Sequence, residues 1–159
     1  MGILRGRCAR FDGALTLPSK RRSPFLSRAY CLIKSKLPQL IARWLHFFNE
    51  QQVTRENAPS IYARLHIPFV HIHPFADGNG RLARLISNLP LLRVGLPPII
   101  IPKEWRQEYI ALLAEHQRER GTLVSGSELL GSTAAVRKFE GMVARAWERT
   151  WTVMENFSA

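Results

Sequence analysis

Apolar residues in this chain recur with the period of an α-helix, and no stretch alternates convincingly with the period of a strand. Leu37, Leu40, Ile41, Trp44, Leu45 and Phe48 form one broad stripe at i, i+3, i+4, i+7, i+8 and i+11. That spacing predicts a helix from Ser35 onward, with Pro38 in its first turn. Asn57 reads as the N-cap of a second helix, with Pro59 just inside it and Ile61, Leu65, Phe69 and Ile72 on the buried face. A third helix is expected from about Asn79 to Arg93, with Leu82, Leu85, Ile86, Leu89 and Leu92 inward and Gly95 as its stop. Pro68 and Pro90 fall inside the second and third helices. Each predicts a kink or local break, because proline cannot make the i→i−4 hydrogen bond. Leu96 to Pro102 reads as an extended connector. A fourth helix over roughly 103–119 would bury Trp105, Tyr109, Leu112 and Leu113. After a loop from Gly121 to Gly131, a fifth helix over about 133–155 would bury Val136, Phe139, Val143, Trp147, Thr150 and Met154. The expectation is an all-α bundle with a loop between its second and third helices.

Charge divides the chain differently. Residues 1–43 carry ten Lys or Arg against one acid, Asp12, a net +9. The remaining residues carry thirteen against eleven, a net +2. Residues 1–34 therefore read as a basic, poorly patterned N-terminal segment, residues 35–155 as the core, and 156–159 as a tail. The basic arm admits three readings: a solvated leader, a contact for nucleic acid or acidic lipid, or a targeting peptide. The first is preferred, so nucleic acid is not expected as the main partner. The two cysteines, Cys8 and Cys31, fall in this irregular segment and argue for a reducing compartment over a disulfide framework. No apolar run approaches the ~20 residues of a membrane span. The expected setting is the cytoplasm.

The unusual chemistry is concentrated in His71-Ile-His-Pro-Phe-Ala-Asp-Gly-Asn-Gly-Arg81. Two glycines permit positive φ and let a ligand approach the backbone. A helix follows at once, and the free N–H groups of a helix start attract anions. Arg81 and Arg84 are three residues apart on one face and suit phosphate oxygens. Asp77 offers a hard oxygen ligand for Mg²⁺ beside phosphates. His73 supplies an imidazole, a group suited to general-base work near neutral pH. A Zn²⁺ site from His66, His71, His73 and Asp77 is the alternative, although such a site has no use for an anion cradle. His71 otherwise reads as a helix-end residue and His66 as a hydrogen-bonded histidine at the core edge.

His73-Pro-Phe-Ala-Asp-Gly-Asn-Gly-Arg81-Leu-Ala-Arg84 resembles the active-site motif of the Fic (filamentation induced by cAMP) domain. Leu65-His66, Phe69-Val70 and Ile72 resemble the family's approach to that motif, and Leu85 to Ile101 resembles its exit. The resemblance covers about residues 35–155. It implies a protein adenylyltransferase: AMP passes from ATP to a Tyr, Thr or Ser hydroxyl of a target protein, and pyrophosphate leaves. By that resemblance His73 is the base and Asp77 the Mg²⁺ ligand. Gly78, Asn79 and Gly80 form the anion hole, Arg81 holds the outer phosphates, and Arg84 lies near the γ-phosphate. Phe75 points into the core and anchors the loop. The related Doc kinases are similar but carry Lys where this chain has Gly80, which favours nucleotidyl transfer.

Two departures accompany the resemblance. The target-clamping β-hairpin flap would fall within residues 10–30, where Phe11 to Leu17 suits half a hairpin and Ser19 to Ser27 does not, as in a truncated or divergent segment. The family's self-inhibitory pattern needs a hydroxyl four residues before a Glu-Gly or Glu-Asn pair. Here Glu140-Gly141 is preceded by Val136 and Glu155-Asn156 by Trp151. Inhibition then falls to a separate antitoxin-like protein or to a segment that has been lost. The alternative function is a catalytically silent Fic-like domain that binds nucleotide or nucleic acid through its basic arm.

Overall fold

The computed structural model describes residues 24–123 and 126–158, with side chains described over 36–123 and 126–156. Five α-helices follow in order: α1 (Pro24–Asn49), α2 (Ala58–Ile72), α3 (Asn79–Arg93), α4 (Arg106–Arg120) and α5 (Ala134–Ser158). A single 3-10 turn, Lys103–Trp105, leads into α4, and no strand occurs among the described residues. The all-α expectation holds. None of these helices is long and apolar enough to cross a membrane.

α1 is already helical at Pro24, well before the expected Ser35. Residues 24–34, with Cys31, are therefore helical and not irregular. Phe11 to Leu17, the stretch suited to half a hairpin, lies outside the described residues.

α2 is the hub. It packs on α1, α3, α4 and α5, and ten of its fifteen residues are buried. One apolar cluster on its flank joins Tyr62 and Ile67 to Phe139, Met142, Val143 and Trp147 of α5. A second joins Leu65 and Phe69 to Leu40 and Trp44 of α1 and Ala83 of α3. A helix covered all round needs no amphipathic stripe. Asn57 is its N-cap residue, as expected, but its side chain turns backward: Nδ2 donates to Gln52 O and Oδ1 accepts from Thr54 N. α2 and α3 run through Pro68 and Pro90, so neither proline interrupts its helix. Both rings are buried, and tertiary packing holds the helix where the proline bond is missing.

α3 corrects the expected face. Its buried residues are Asn79, Ala83, Ser87, Asn88, Pro90 and Leu91, whereas Leu85 is 62% exposed and Leu92 49%. Leu89 is exposed as well, and Leu82 and Ile86 are half-buried. The small side chains of Ala83 and Ser87 let α3 approach α2 closely, which turns the leucines outward. Leu45 of α1 and Met154 of α5 are likewise exposed, against expectation.

α3 ends as Gly95 predicts. Gly95 has φ 78°, Gly95 N donates to Leu92 O and Leu96 N donates to Leu91 O, the paired bonds of a Schellman stop. The extended connector is then pinned twice. Asn88 bonds both backbone groups of Ile99 through its side-chain amide, at 2.7 and 3.1 Å. Trp147 Nε1 donates to Pro97 O at 3.2 Å. These contacts bring residues 101–110 opposite the loop that joins α2 to α3.

Candidate active site

The loop between α2 and α3 starts with strain. His73 closes α2 with φ 52° and ψ 58°, and its N–H reaches back to Phe69 O at 3.1 Å. It is the one non-glycine residue with positive φ among the described residues, a conformation that costs about 1 kcal/mol. Its imidazole is exposed at the pocket wall and has no hydrogen-bond partner among the described residues.

Asn79 holds the loop shut. It is only 3% exposed, its Nδ2 donates to Phe75 O at 2.7 Å, and its Oδ1 accepts from Phe75 N at 2.9 Å. The side-chain amide is thus spent on the loop, which leaves the Asn79 backbone as the part open to a ligand. Gly78 caps α3 with φ 80° and gives its N–H to Asp77 Oδ1 at 2.6 Å. The first bond of α3 runs from Leu82 N to Gly78 O. The N–H groups of Asn79, Gly80 and Arg81 lie ahead of that bond and present the positive end of the helix dipole.

Arg81 Nη2 pairs with Asp77 Oδ2 at 3.1 Å, and both side chains are largely exposed. Such a pair contributes about 0–1 kcal/mol, so both partners exchange readily with a charged ligand. Arg84 lies half-buried with its guanidinium carbon 5.5 Å from the ring centre of Tyr109. Together these residues line one side of a cavity of about 540 Å³. Ile101, Pro102, Lys103, Arg106, Tyr109 and Ile110 line the other. The lining holds four cations, Arg81, Arg84, Lys103 and Arg106, against one carboxylate, Asp77. A cavity with that balance suits a polyphosphate.

All the proposed site residues except Phe75 therefore gather at one cavity. Phe75 is 51% exposed and does not enter the core. Its ring lies on a shallow apolar groove with Leu37, Ile41, Leu45, Leu82 and Ile86, and the loop is anchored through the Phe75 backbone. Sequence reasoning missed Lys103 and Arg106. Their signal was a pair of cations three apart straight after Pro102, at a helix start. It also missed Asn88, whose partners are backbone groups.

The three histidines separate. His66 is fully buried between the rings of Tyr62 and Phe139, with Nε2 hydrogen-bonded to the Tyr109 hydroxyl at 3.0 Å. Burial, aided by the Arg84 charge, pushes its pKa down to about 3 and keeps it neutral. His71 donates through Nε2 to Gly121 O at 2.8 Å and lies edge-on to His116. Burial lowers the pKa of both, that of His116 to about 4. No group of three or more His, Cys, Asp or Glu able to hold a metal ion occurs among the described residues, so the zinc alternative finds no donor set. Glu140 is engaged elsewhere, accepting from Ser60 Oγ at 3.1 Å across the α2–α5 contact.

Three comparisons bear on this arrangement. The profile of the Fic/DOC family matches residues 9–91, just over half of the chain and including its N-terminal segment. The protein adenylyltransferase Fic of Drosophila grimshawi is 44% identical over 77 residues, which cover 48% of this chain and 16% of the relative. That of Drosophila melanogaster is 49% identical over 78 residues, covering 48% of this chain and 15% of the relative. The match thus spans about a sixth of the length of these relatives. Among solved structures, a Fic domain containing signaling protein from Bacteroides thetaiotaomicron superposes with a TM-score of 0.55 at 27% identity, over 72% of this chain and 44% of the other.

Proposed function

Since this chain belongs to the Fic/DOC family, we propose that it is a protein adenylyltransferase, moving AMP from ATP onto a Tyr, Thr or Ser hydroxyl of a target protein. The observation that carries this reading is the single cavity in which an imidazole with no hydrogen-bond partner among the described residues, a carboxylate, a helix N-terminus and four cations converge.

In the proposed reaction the polyphosphate lies across the N–H groups of Asn79, Gly80 and Arg81, with Arg81 and Arg84 on its outer oxygens. Lys103 and Arg106 face it from the opposite wall. His73 takes the proton of the target hydroxyl, whose oxygen attacks the α-phosphorus. The bond from that phosphorus to the bridging oxygen breaks, and pyrophosphate leaves with its charge met by the arginines and the helix N–H groups. Asp77 fits Mg²⁺, which takes few protein carboxylates and completes its shell with phosphate oxygens. Among the described residues, its exposed carboxylate is tied only to Gly78 N and Arg81. When bound there, the ion would neutralise phosphate charge. Gly80 adds no side chain to compete with the nucleotide.

The test is label transfer from α-labelled ATP with Mg²⁺, to the chain itself and to lysate proteins. His73→Ala should lower transfer at least ~10²-fold, the usual contribution of a general base, while ATP affinity stays within a few-fold. Transfer that survives His73→Ala would sink the assignment of the base. ATP binding without any transfer by the folded wild type would favour the silent binding module. In that case nucleic-acid binding through the basic arm should weaken steeply with salt.

A further inference from the structure

We infer that Tyr109 is a positioning residue of the phosphate cradle: its hydroxyl, fixed by His66, keeps position 80 free of any side chain and its ring carries the guanidinium of Arg84. The inference rests on the nucleotide reading above and extends it to two residues outside the loop.

Tyr109 comes from α4, on the wall facing the loop, and is 7% exposed. A Cβ placed on Gly80 would lie 3.2 Å from its hydroxyl oxygen and 3.8 Å from Arg84 Nη1. The first distance is shorter than ordinary carbon–oxygen contact, so one partner would have to move. The hydroxyl has little room to do so. It is hydrogen-bonded to His66 Nε2 at 3.0 Å, and the Tyr109 ring is flanked by Phe139 at 6.0 Å and Arg84 at 5.5 Å.

Gly80 has no positive φ, so its backbone conformation does not demand glycine. The demand comes from across the pocket. The same hydroxyl explains a second oddity. A fully buried imidazole is costly unless it is bonded, and a purely apolar core has no need of one. His66 acts through Tyr109, and Tyr109 acts at the two places where α3 would grip phosphate, the Gly80 N–H and the Arg84 side chain.

The test is a double-mutant cycle read by titration with ATP and with inorganic tripolyphosphate, on variants verified as folded by circular dichroism. Gly80→Ala alone should weaken both ligands about tenfold. Tyr109→Phe alone should weaken them severalfold, raising KM for ATP in the transfer assay with kcat little changed. In the double variant the alanine should add at most about twofold, because the clash has gone. An equal cost of Gly80→Ala with and without the hydroxyl would overturn the inference, as would unchanged affinity in Tyr109→Phe. His66 provides an independent arm: His66→Gln, which can still bond the hydroxyl, should retain affinity, and His66→Leu should lose it. Equal affinity in these two would also overturn the inference. Wild type that binds tripolyphosphate but not ATP would sink adenylyl transfer, and the same cycle on the anion would still decide the role of Tyr109. Wild type that binds neither overturns both.

Discussion

Asn79 illustrates how a side chain in a motif can serve the loop and leave its backbone to the proposed nucleotide. Its amide closes two hydrogen bonds on the peptide groups of Phe75. Asn79→Ala leaves a partly buried N–H and C=O unpaired, which should cost about 1–3 kcal/mol in urea denaturation. Asn79→Asp keeps the acceptor but sets a carboxylate against Phe75 O, and should also destabilise. The motif was legible because its histidine, acid, glycines and arginines all fall between positions 73 and 84. The work of Asn79 was not, since its partner is backbone and leaves no mark in a sequence pattern. Lys103 and Arg106 were missed for a different reason. They reach the cavity only through the path of the connector, which side-chain spacing does not encode.

At the scale of the helix, the five described helices and most of their ends were legible from period, prolines and glycines, and the helical stretch of α1 upstream of Ser35 was not. Helix α3 shows what periodicity leaves open. The leucine set and the set Ala83, Ser87 and Leu91 both recur at helical spacing, offset by one position. Hydrophobicity alone favours the leucines. Close approach to α2 selects the small residues, and only the packed neighbour reveals that. The two faces should differ sharply in stability. Leu85→Ser, at an exposed position, should change the unfolding free energy by less than about 0.5 kcal/mol. Leu91→Ala, at a fully buried one, should cost about 2–5 kcal/mol. Chemical denaturation of the two variants measures both, and equal losses would contradict the assigned face.

Across the whole molecule, the buried histidines make stability depend on pH. His66 and His116 have folded pKa values of about 3 and about 4, below the value of about 6.5 in an unfolded chain, and His71 is also lowered. The unfolded state therefore binds protons first. Stability is fully present above pH ~6.5 and falls as pH drops below it, by about 1.4 kcal/mol per pH unit for each such histidine. The melting temperature should fall by roughly 10–15 °C between pH 7.5 and pH 5, and His116→Gln should flatten the slope. A flat profile would mean that these rings take up protons in the folded state. The charge balance of the molecule was only half legible. The +9 of the N-terminal quarter stood out, while the body, at +2, did not. Folding collects four of its cations around one carboxylate, a local excess that no average over sequence reveals.

The grip of Asn88 has a mechanical consequence. Its one carboxamide holds Ile99 by both backbone groups and also donates to Arg84 O at 3.0 Å. The connector leads directly to Lys103, and Arg84 stands on the other wall. The two walls are thus yoked by a single planar strut. A push on the Lys103 side is felt at the Arg84 carbonyl, and the width of the cleft behaves as one stiff dimension, not two independent ones.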